Sequence, residues 1–523
     1  MKILSFKPGH DGSIAYLNDG QLLFSFEAEK DSFKRHSPIT PNVLIDVFSH
    51  LKDIPDVIAV GGWIKGVGYE ENTSTISDAG YYGLSKESMI FSLTNCLGKK
   101  IKRFSASHEL SHLMCSYGMS PFEQGKPCYV LIWEGKLGDF YEIDKDLNIV
   151  HIGTVLDQPG FRYCCPYWVA DNFSTRALST AGKMMALASY SDFSRPSPEE
   201  QRVLDYIIHH PGVIYKLSRR DFEWSKFLSI GVESEEFKHL AGHVSLAIFQ
   251  AFHDYAKKYL TKKYPLLISG GCGLNCTWNT LWKNSNLFSD VFVPPCANDS
   301  GSAIGTAIAA QFHYTGVAKI KWDVYCGKKF DYNIICPSDY ITYELDYDKL
   351  ARFIYSGKII AWVQGRCEIG PRALCNRSLL ASPFSIEIRD RLNVIKDRES
   401  YRPIAPVCLE EDVSRYFDWF GPSPHMLYFQ KVKDCKLKGI THVDNTARVQ
   451  TVNVSQNKHM YKLLNTFKTV TGFGVLCNTS LNFPGSGFIN SMSDLIYFVN
   501  SRGIDGFVCN NKVYMKKNNN YWL

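Results

Sequence analysis

Two stretches of this chain open in the same way, and that repetition restricts the fold more than any other feature. Lys2 to Phe6 is apolar-rich, Gly9-His10-Asp11-Gly12 turns, and Ser13 to Leu17 reads as a second strand. Asn18-Asp19-Gly20 then carries an Asp-Gly hairpin signal before a third strand, Gln21 to Glu27. Tyr129 to Ile132, the turn Glu134-Gly135-Lys136-Leu137-Gly138 and the return Asp139 to Ile143 repeat the pattern. Helical material follows each hairpin. The spacing predicts an internally duplicated α/β domain with a cleft between its lobes.

With 523 residues, 45% apolar and 14% aromatic, the chain can bury a large core, which excludes the disordered and low-complexity classes. Its length predicts two or three units. No stretch approaches the roughly 18–20 continuous apolar residues of a membrane helix. The short apolar run at the start ends in Lys7-Pro8-Gly9, unlike a secretory leader. The expectation is a soluble, cytoplasmic protein with no membrane partner, whose 16 cysteines stay reduced and mostly serve as small buried hydrophobes. A net charge of +6 permits a polyanionic partner without requiring one.

Two glycine-rich loops stand out. Leu266 to Ser269 reads as a strand running into Gly270-Gly271-Cys272-Gly273-Leu274-Asn275, and Asn298-Asp299-Ser300-Gly301-Ser302-Ala303 opens a helix behind an acid. Such loops let backbone N–H groups approach a phosphate or ribose, and equally make plain tight turns. Between about residues 315 and 345 periodicity fades, and Asp331-Tyr332-Asn333 and Cys336-Pro337-Ser338 are turn clusters, which places a boundary there. A second unit begins with a helix end, Ala351 to Gly357, and a strand, Lys358 to Val363. In it Arg366, Arg372, Arg377, Arg389, Arg391, Lys396, Arg398, Arg402 and Arg448 gather at turns, a pattern that predicts a preorganised anion pocket rather than a solvated face.

His108-Glu109-Leu110-Ser111-His112 sets two imidazoles at i and i+4, about 5–6 Å apart at Cβ, close enough to share a metal. Three readings compete. One is a surface helix with incidental histidines; another is a zinc-peptidase helix with Glu109 as general base. The third is a non-peptidase metal site completed by acids from distant turns. A peptidase needs a third ligand, for which Glu123 and Glu134 are the downstream acids; the third reading uses Glu134 and Asp299.

Across a series of ordered blocks the chain resembles the O-carbamoyltransferase family that includes the tobramycin, cephalosporin and nodulation-factor enzymes. Gly9-His10-Asp11-Gly12-Ser13 resembles its G-H-D-A-S turn, and Phe26-Glu27-Ala28-Glu29-Lys30 its E-E-E-R stretch. His108 and His112 fit its H-H-x-x-H helix, and Gly182-Lys183-Met184-Met185-Ala186-Leu187-Ala188 its G-K-V-M-G-L-A segment. Gly270 to Cys276 is similar to G-G-x-A-L-N-C, and Gln364 to Ser378 to Q-G-R-x-E-x-G-P-R-A-L-G-N-R-S. Tyr401-Arg402-Pro403-Ile404-Ala405-Pro406, Thr446-Ala447-Arg448-Val449-Gln450 and Cys477-Asn478-Thr479-Ser480-Leu481-Asn482 follow in family order. Three positions depart from the pattern. Glu134 stands where an aspartate is usual, Glu109 replaces a histidine, and Cys375 replaces a glycine, which is expected to shift the loop at Arg372.

The resemblance implies an α/β protein in two parts: an actin-like (ASKHA, TsaD-like) domain over about 1–330 and a YrdC-like α/β domain over about 340–523. It implies that the second part makes carbamoyl adenylate from carbamoyl phosphate and Mg-ATP, releasing phosphate and pyrophosphate. The first part then moves the carbamoyl group to an acceptor hydroxyl. Matched residue by residue, carbamoyl phosphate and ATP fall to Arg372, Lys396, Arg402, Arg448, Asn478, Thr479 and Ser480, with Asn478 and Thr479 as neutral donors. His425 is expected to be a solvated loop histidine. The adenylate falls to Lys183, Gly270, Gly271 and Asn275, and a metal to His108, His112, Glu134 and Asp299. Resemblance favours Fe²⁺; zinc suits the same donors. His10 is the expected handler of the acceptor's proton, with Asp11 sharing or replacing that role. A homodimer is compatible with this arrangement.

Acceptor choice belongs to loops rather than to shared motifs. A small sugar-type alcohol is the family default, and a hydroxymethylated pyrimidine, free or in DNA, is its rival. The alternatives from other classes are a zinc metallopeptidase on His108 and His112 and a non-catalytic nucleotide-binding protein.

Overall fold

Strands β1 (Lys2–Lys7), β2 (Ser13–Asn18) and β3 (Gln21–Glu27) form an antiparallel meander. Its second turn is the Asp-Gly hairpin, with Asp19 and Gly20 both at positive φ, the geometry that matches strand twist. β4 (Val57–Trp63) and β6 (Lys99–Ser107) continue in parallel on the other side of β1, and β5 (Met89–Cys96) pairs antiparallel with β6 at the edge. The order is β3-β2-β1-β4-β6-β5. The second hairpin repeats the scheme. β7 (Cys128–Trp133), β8 (Gly138–Ile143) and β9 (Ile149–Thr154) meander, and β10 (Leu266–Ser269) and β11 (Val291–Phe292) extend in parallel from β7. That order is β11-β10-β7-β8-β9. Apart from β5 the two sheets share one topology, the duplicated actin-like arrangement. The computed structural model describes residues 1–63, 89–173, 179–334 and 339–517.

Helix α1 (Pro41–His50) follows β3, and α2 (His108–Met119) follows β6. α2 and the helix Ser302–Thr315 share one core with Leu17, Phe104, Val130, Ile132 and Leu267 from the two sheets. The two helices cross closely at Gly305, where a Cβ would fall on the Ser111 carbonyl, so only glycine permits the approach. That crossing sets His108 and His112 beside Asp299, which stands just ahead of the second helix. The alternate residues of β7, Tyr129, Leu131 and Trp133, face the opposite side and a second core. There α3 (Pro159–Ala170), α4 (Thr180–Ala188) and the long helix Glu235–Tyr259 pack around Trp278 and Trp282.

The C-terminal part is a mixed α/β sheet of β12 (Tyr340–Glu344), β13 (Ile360–Val363), β14 (Arg377–Ala381), β15 (Ala405–Leu409), β18 (Gln450–Val452), β19 (Val475–Ser480), β20 (Gly506–Cys509) and β21 (Lys512–Lys516). Its order is β12-β21-β20-β13-β14-β19-β15-β18, with β16 (Gln430–Lys431) and β17 (Thr446–Ala447) as a separate ribbon. Helices Tyr347–Tyr355 and Lys458–Thr471 share one core, and Ile386–Ile395 and Met492–Ser501 another. The helix end expected at Ala351 to Gly357 is there, since Tyr347–Tyr355 ends within that stretch, and the strand expected from Lys358 begins at Ile360. Between 316 and 334 the chain forms only isolated pairings; Cys336-Pro337-Ser338 lies outside the described residues. The described cysteines are free thiols, and all but Cys272 and Cys435 are buried. Among the described residues no helix is long and apolar enough to cross a membrane.

Candidate active site

His108, His112, Glu134 and Asp299 converge, each able to offer one ligand atom, with all four atoms within 4.8 Å of one another. Ser107 caps α2 through the Leu110 N–H, which starts the helix with His108 at its first turn. His108 Nε2 lies 3.0 Å from Glu134 Oε2 and 4.0 Å from Asp299 Oδ1; His112 Nε2 lies 3.4 Å from each acid. His112 Nδ1 sits 2.9 Å from Ser269 Oγ, which turns Nε2 toward the carboxylates, the outer support that metal-bound histidines use. The longer Glu134, in place of aspartate, reaches the cluster. Burial alone would lower the His112 imidazole, yet Asp299 and Glu134 carry it up to about 10. Glu134, which burial would raise, is held down to about 2 by His108 and His112. Two buried imidazoles facing two buried carboxylates is a donor set that fits Fe²⁺ or Zn²⁺ and not a Mg²⁺ site. Glu123 is exposed and outside this group, and Glu109 does not belong to it either. Of the three sequence readings of this helix, the geometry matches the one completed by distant acids.

Beside this cluster lies a second layer. Lys7 is fully buried with Nζ 3.3 Å from Asp299 Oδ2, and it also donates to the His10 carbonyl. His10 Nε2 stands 3.3 Å from the same Oδ2, while its Nδ1 is 3.3 Å from Asp11 Oδ2. Asp299 raises the His10 imidazole against its burial. Burial would raise Asp11, but hydrogen bonds from His10 and His36 hold its carboxyl low. Sequence reasoning missed Lys7, since a lysine inside a strand gives no signal of its partner; its place immediately ahead of Pro8-Gly9-His10 was the available clue.

Arg372, Arg398, Arg402 and Arg448 surround a cavity of about 60 Å³ that Gly182 and Ala186 of α4 also line. Burial and the neighbouring Arg448 push Arg372 down to about 9, and burial and Arg402 do the same to Arg398. Like charges pressed together out of water call for an anion between them. The Nε atoms of Arg372 and Arg448 are buried without a hydrogen-bond partner. Glu399 answers the charge from one side, 3.7 Å from Arg402 and 2.6 Å from Lys183.

Not every arginine of the expected pocket lies there. Arg377 is fully buried and spends its guanidinium on Asn490 Oδ1 and the carbonyls of Gln364, Gly365 and Asn376. Arg366 donates to the Leu23, Cys326 and Gly327 carbonyls. Arg389 pairs with Asp390 and Arg391 with Asp505. These four position backbone or pair with acids, because a guanidinium's five donors serve carbonyls as well as phosphates.

Lys396 and Ser480 meet each other rather than the cavity. Lys396 Nζ donates to the carbonyls of Ser480 (2.6 Å) and Asn482 (3.0 Å) and to Asn482 Oδ1, and Ser480 Oγ donates to the same Oδ1 at 2.6 Å. Burial and the adjacent Arg398 and Arg402 hold Lys396 well below its usual range. Thr479 is buried in β19 opposite Leu379. Asn478 gives its N–H to Gln450 Oε1 at 2.9 Å, so Oδ1, an acceptor, is its unpartnered atom. That departs from the neutral donor expected there. His425 departs too: it is half-buried against Trp322, ring centroids 5.8 Å apart, and burial lowers it to about 4.

Among the residues expected at the adenylate, Gly270 follows Ser269 directly and sits at φ 96, where a Cβ would strike the Trp133 carbonyl. Gly271 has open space around it. Asn275 Oδ1 caps the helix Cys276–Asn284 by accepting from the Thr277 and Trp278 N–H groups, and its Nδ2 is buried without a partner. Lys183 points instead to Glu399.

Cys375 occupies the family's glycine position without abandoning glycine geometry, at φ 82. Its Sγ donates to Gln450 Oε1 at 3.1 Å, in the network that holds Asn478. Cys375→Val is expected to destabilise the fold by about 2–3 kcal/mol, since a β-branched residue at positive φ is strained as well as overpacked. Cys375→Gly, which relieves strain while removing the thiol, should change stability by less than about 1 kcal/mol. Denaturant melts of the two variants check this; equal destabilisation would show that strain at 375 is unimportant.

Comparisons with known proteins give the family of the chain. The model described as "Carbamoyltransferase N-terminus" matches residues 67–308, and "Carbamoyltransferase C-terminus" matches residues 351–516. A 3'-hydroxymethylcephem-O-carbamoyltransferase of Amycolatopsis lactamdurans is 44% identical over 523 residues, covering 99% of both chains. One of Streptomyces clavuligerus is 42% identical, again over 99% of each chain. Among solved structures, full-length HypF in the phosphate- and nucleotide-bound form is a distant likeness, 12% identical with a TM-score of 0.35 over 61% of this chain and 56% of that one. The fold rests on the sheet orders above. With both family models in sequence and relatives matched end to end, this chain belongs to the carbamoyltransferase family and is an enzyme of carbamoyl transfer.

Proposed function

We propose that the enzyme makes carbamoyl adenylate from carbamoyl phosphate and ATP in a C-terminal part of about residues 340–523, at the arginine-lined cavity. Carbamoyl then passes to a hydroxymethyl group of a small-molecule acceptor beside His10, in a part of about residues 1–330. The observation that carries this reading is the cavity itself: four crowded guanidinium groups that α4 of the N-terminal part also borders. In the reaction, water releases phosphate and carbamate from carbamoyl phosphate. A carbamate oxygen attacks the α-phosphorus of ATP, the bond to the β-phosphate breaks, and pyrophosphate leaves. Arg372, Arg402 and Arg448 offset the charge of these anions.

In the second step the acceptor oxygen attacks the carbamoyl carbon and the bond to AMP breaks. His10 Nε2 takes the acceptor's proton, while Asp11 accepts from Nδ1–H and steadies the imidazolium. Lys7 and Asp299 hold the His10 loop against the cluster. A divalent metal on His108, His112, Glu134 and Asp299, Fe²⁺ by resemblance, would supply Lewis acidity toward the adenylate's phosphate.

The two cephem relatives, named for a hydroxymethyl acceptor, favour a primary alcohol on a small molecule. The test is incubation with ATP, carbamoyl phosphate and a 3'-hydroxymethylcephem, read by mass spectrometry and pyrophosphate release. The expected result is the mass gain of one carbamoyl group, with pyrophosphate release that requires carbamoyl phosphate. Equal release without carbamoyl phosphate overturns the adenylate route. Gain only on hydroxymethylated DNA, with binding that falls steeply as salt rises, overturns the acceptor.

A further inference from the structure

Asp11 has two carboxylate oxygens, and each meets one imidazole. His36 Nδ1 lies 2.8 Å from Oδ1, and His10 Nδ1 lies 3.3 Å from Oδ2. An ionised carboxylate only accepts, so each histidine offers Asp11 its Nδ1–H, while Nε2 of His10 stands on the Asp299 side, 3.3 Å from Oδ2. His36 is itself held on several sides. Its N–H donates to Glu29 Oε2 at 2.9 Å, its carbonyl accepts the Asp11 N–H at 3.3 Å, and the Ser37 carbonyl accepts the Gly12 N–H at 2.8 Å. Asp11 and His36 both adopt the left-handed region, at φ 52 and 60, a conformation that persists for such residues only where the surroundings enforce it.

The stretch leading into His36 is tied to the C-terminal part. Ser32 N–H donates to the Phe488 carbonyl at 2.9 Å, Gly487 N–H to Phe33 at 2.8 Å, and Arg35 N–H to Gly485 at 3.0 Å. Asp11, Glu29 and His36 also lie close enough together to hold a metal. Both Asp11 oxygens and Glu29 Oε2 are, however, already engaged by N–H groups, so this trio works as a hydrogen-bonded brace.

We infer that His36 is a positioning residue for carbamoyl transfer: by fixing the plane of the Asp11 carboxylate it fixes the ring of His10. The inference rests on His10 as the group that takes the acceptor's proton. A carboxylate gripped at one oxygen swivels; gripped at both, it holds His10 Nδ1–H in one direction and so keeps Nε2 in one place beside Asp299. Without the His36 side chain the backbone bonds at 36 and 37 remain, and what is lost is the grip on Asp11 Oδ1.

The test compares wild type, His36→Ala and His36→Asn, the last keeping an N–H where Nδ1 stood. His36→Ala is expected to lower kcat for transfer to a 3'-hydroxymethylcephem by about 10- to 100-fold, with the acceptor KM and carbamoyl-phosphate-dependent pyrophosphate release unchanged. His36→Asn should restore most of kcat. NMR of ¹⁵N-histidine on the zinc-loaded protein, with His10→Gln to identify the signal, should show a His10 Nδ1–H protected from exchange by its bond to Asp11 in wild type and His36→Asn, and loss of that protection in His36→Ala. Unchanged kcat or an unchanged His10 Nδ1–H signal in a folded His36→Ala protein overturns the inference. If wild type transfers nothing to the probe, the acceptor reading fails, and the NMR comparison still decides the role of His36.

Discussion

Arg402→Ala is expected to cut carbamoyl-phosphate-dependent pyrophosphate release by about 100- to 1,000-fold while leaving bound metal at the wild-type level. The guanidinium borders the cavity with Arg372, Arg398 and Arg448, and burial with its cationic neighbours presses it below its usual range although Glu399 pulls the other way. On the proposed reading, this side chain shares an anion with the other three arginines. The metal cluster shares no residue with this cavity, so its content should not follow. Lys396→Ala makes a contrasting control. It strips a donor from Ser480 and Asn482, and a buried acceptor left unpaired costs about 1–3 kcal/mol, so it should lower thermal stability along with activity. Coupled pyrophosphate assays and metal analysis on both variants check the pair. Normal release by Arg402→Ala would remove the anion from this cavity.

His112→Ala is expected to give the opposite separation: metal and carbamoyl transfer lost, with pyrophosphate release largely retained. His112 is the residue equidistant from both acids, 3.4 Å from Glu134 and 3.4 Å from Asp299. Its removal leaves two buried carboxylates facing each other with fewer positive partners, which should weaken metal binding by at least about 100-fold. Transfer should fall by about 1,000-fold with it. Ser269→Ala, which only frees the His112 ring, should show a milder version of the same loss, about 10-fold in metal affinity. Elemental analysis and transfer assays on one preparation decide the matter. Full metal occupancy in His112→Ala would sink the four-residue site.

What could be read ahead of the structure was what acts over a few residues. The Asp-Gly turn, the period-two strands and the i, i+4 histidines each depend on neighbours in the chain, so β1–β3 and β7–β8 lie within a residue or two of their expected bounds, and the histidine pair does lie on a helix, α2. The repeat of the hairpin was enough to expect an internally duplicated α/β domain. It could not foresee that β5 would add an edge to the first sheet alone.

The arginines show the other side most clearly. Arg366, Arg372, Arg377 and Arg402 read in sequence as one set at turns, yet Arg366 and Arg377, the latter opening β14, brace backbone carbonyls, and the other two face the cavity. A guanidinium's role is set by which acceptors surround it once the chain is packed, and those acceptors come from distant strands. Lys7, His36 and Glu399 gave no signal for the same reason: each is defined by a partner, Asp299, Asp11 or Lys183, brought close only by folding. By itself, then, the sequence determined the elements, their order and the chemistry on offer, because turn geometry and hydrophobic period are local. Only the tertiary structure decided which charges confront one another, because the desolvation and short distances that give a buried charge its meaning exist only after the sheets and helices have closed.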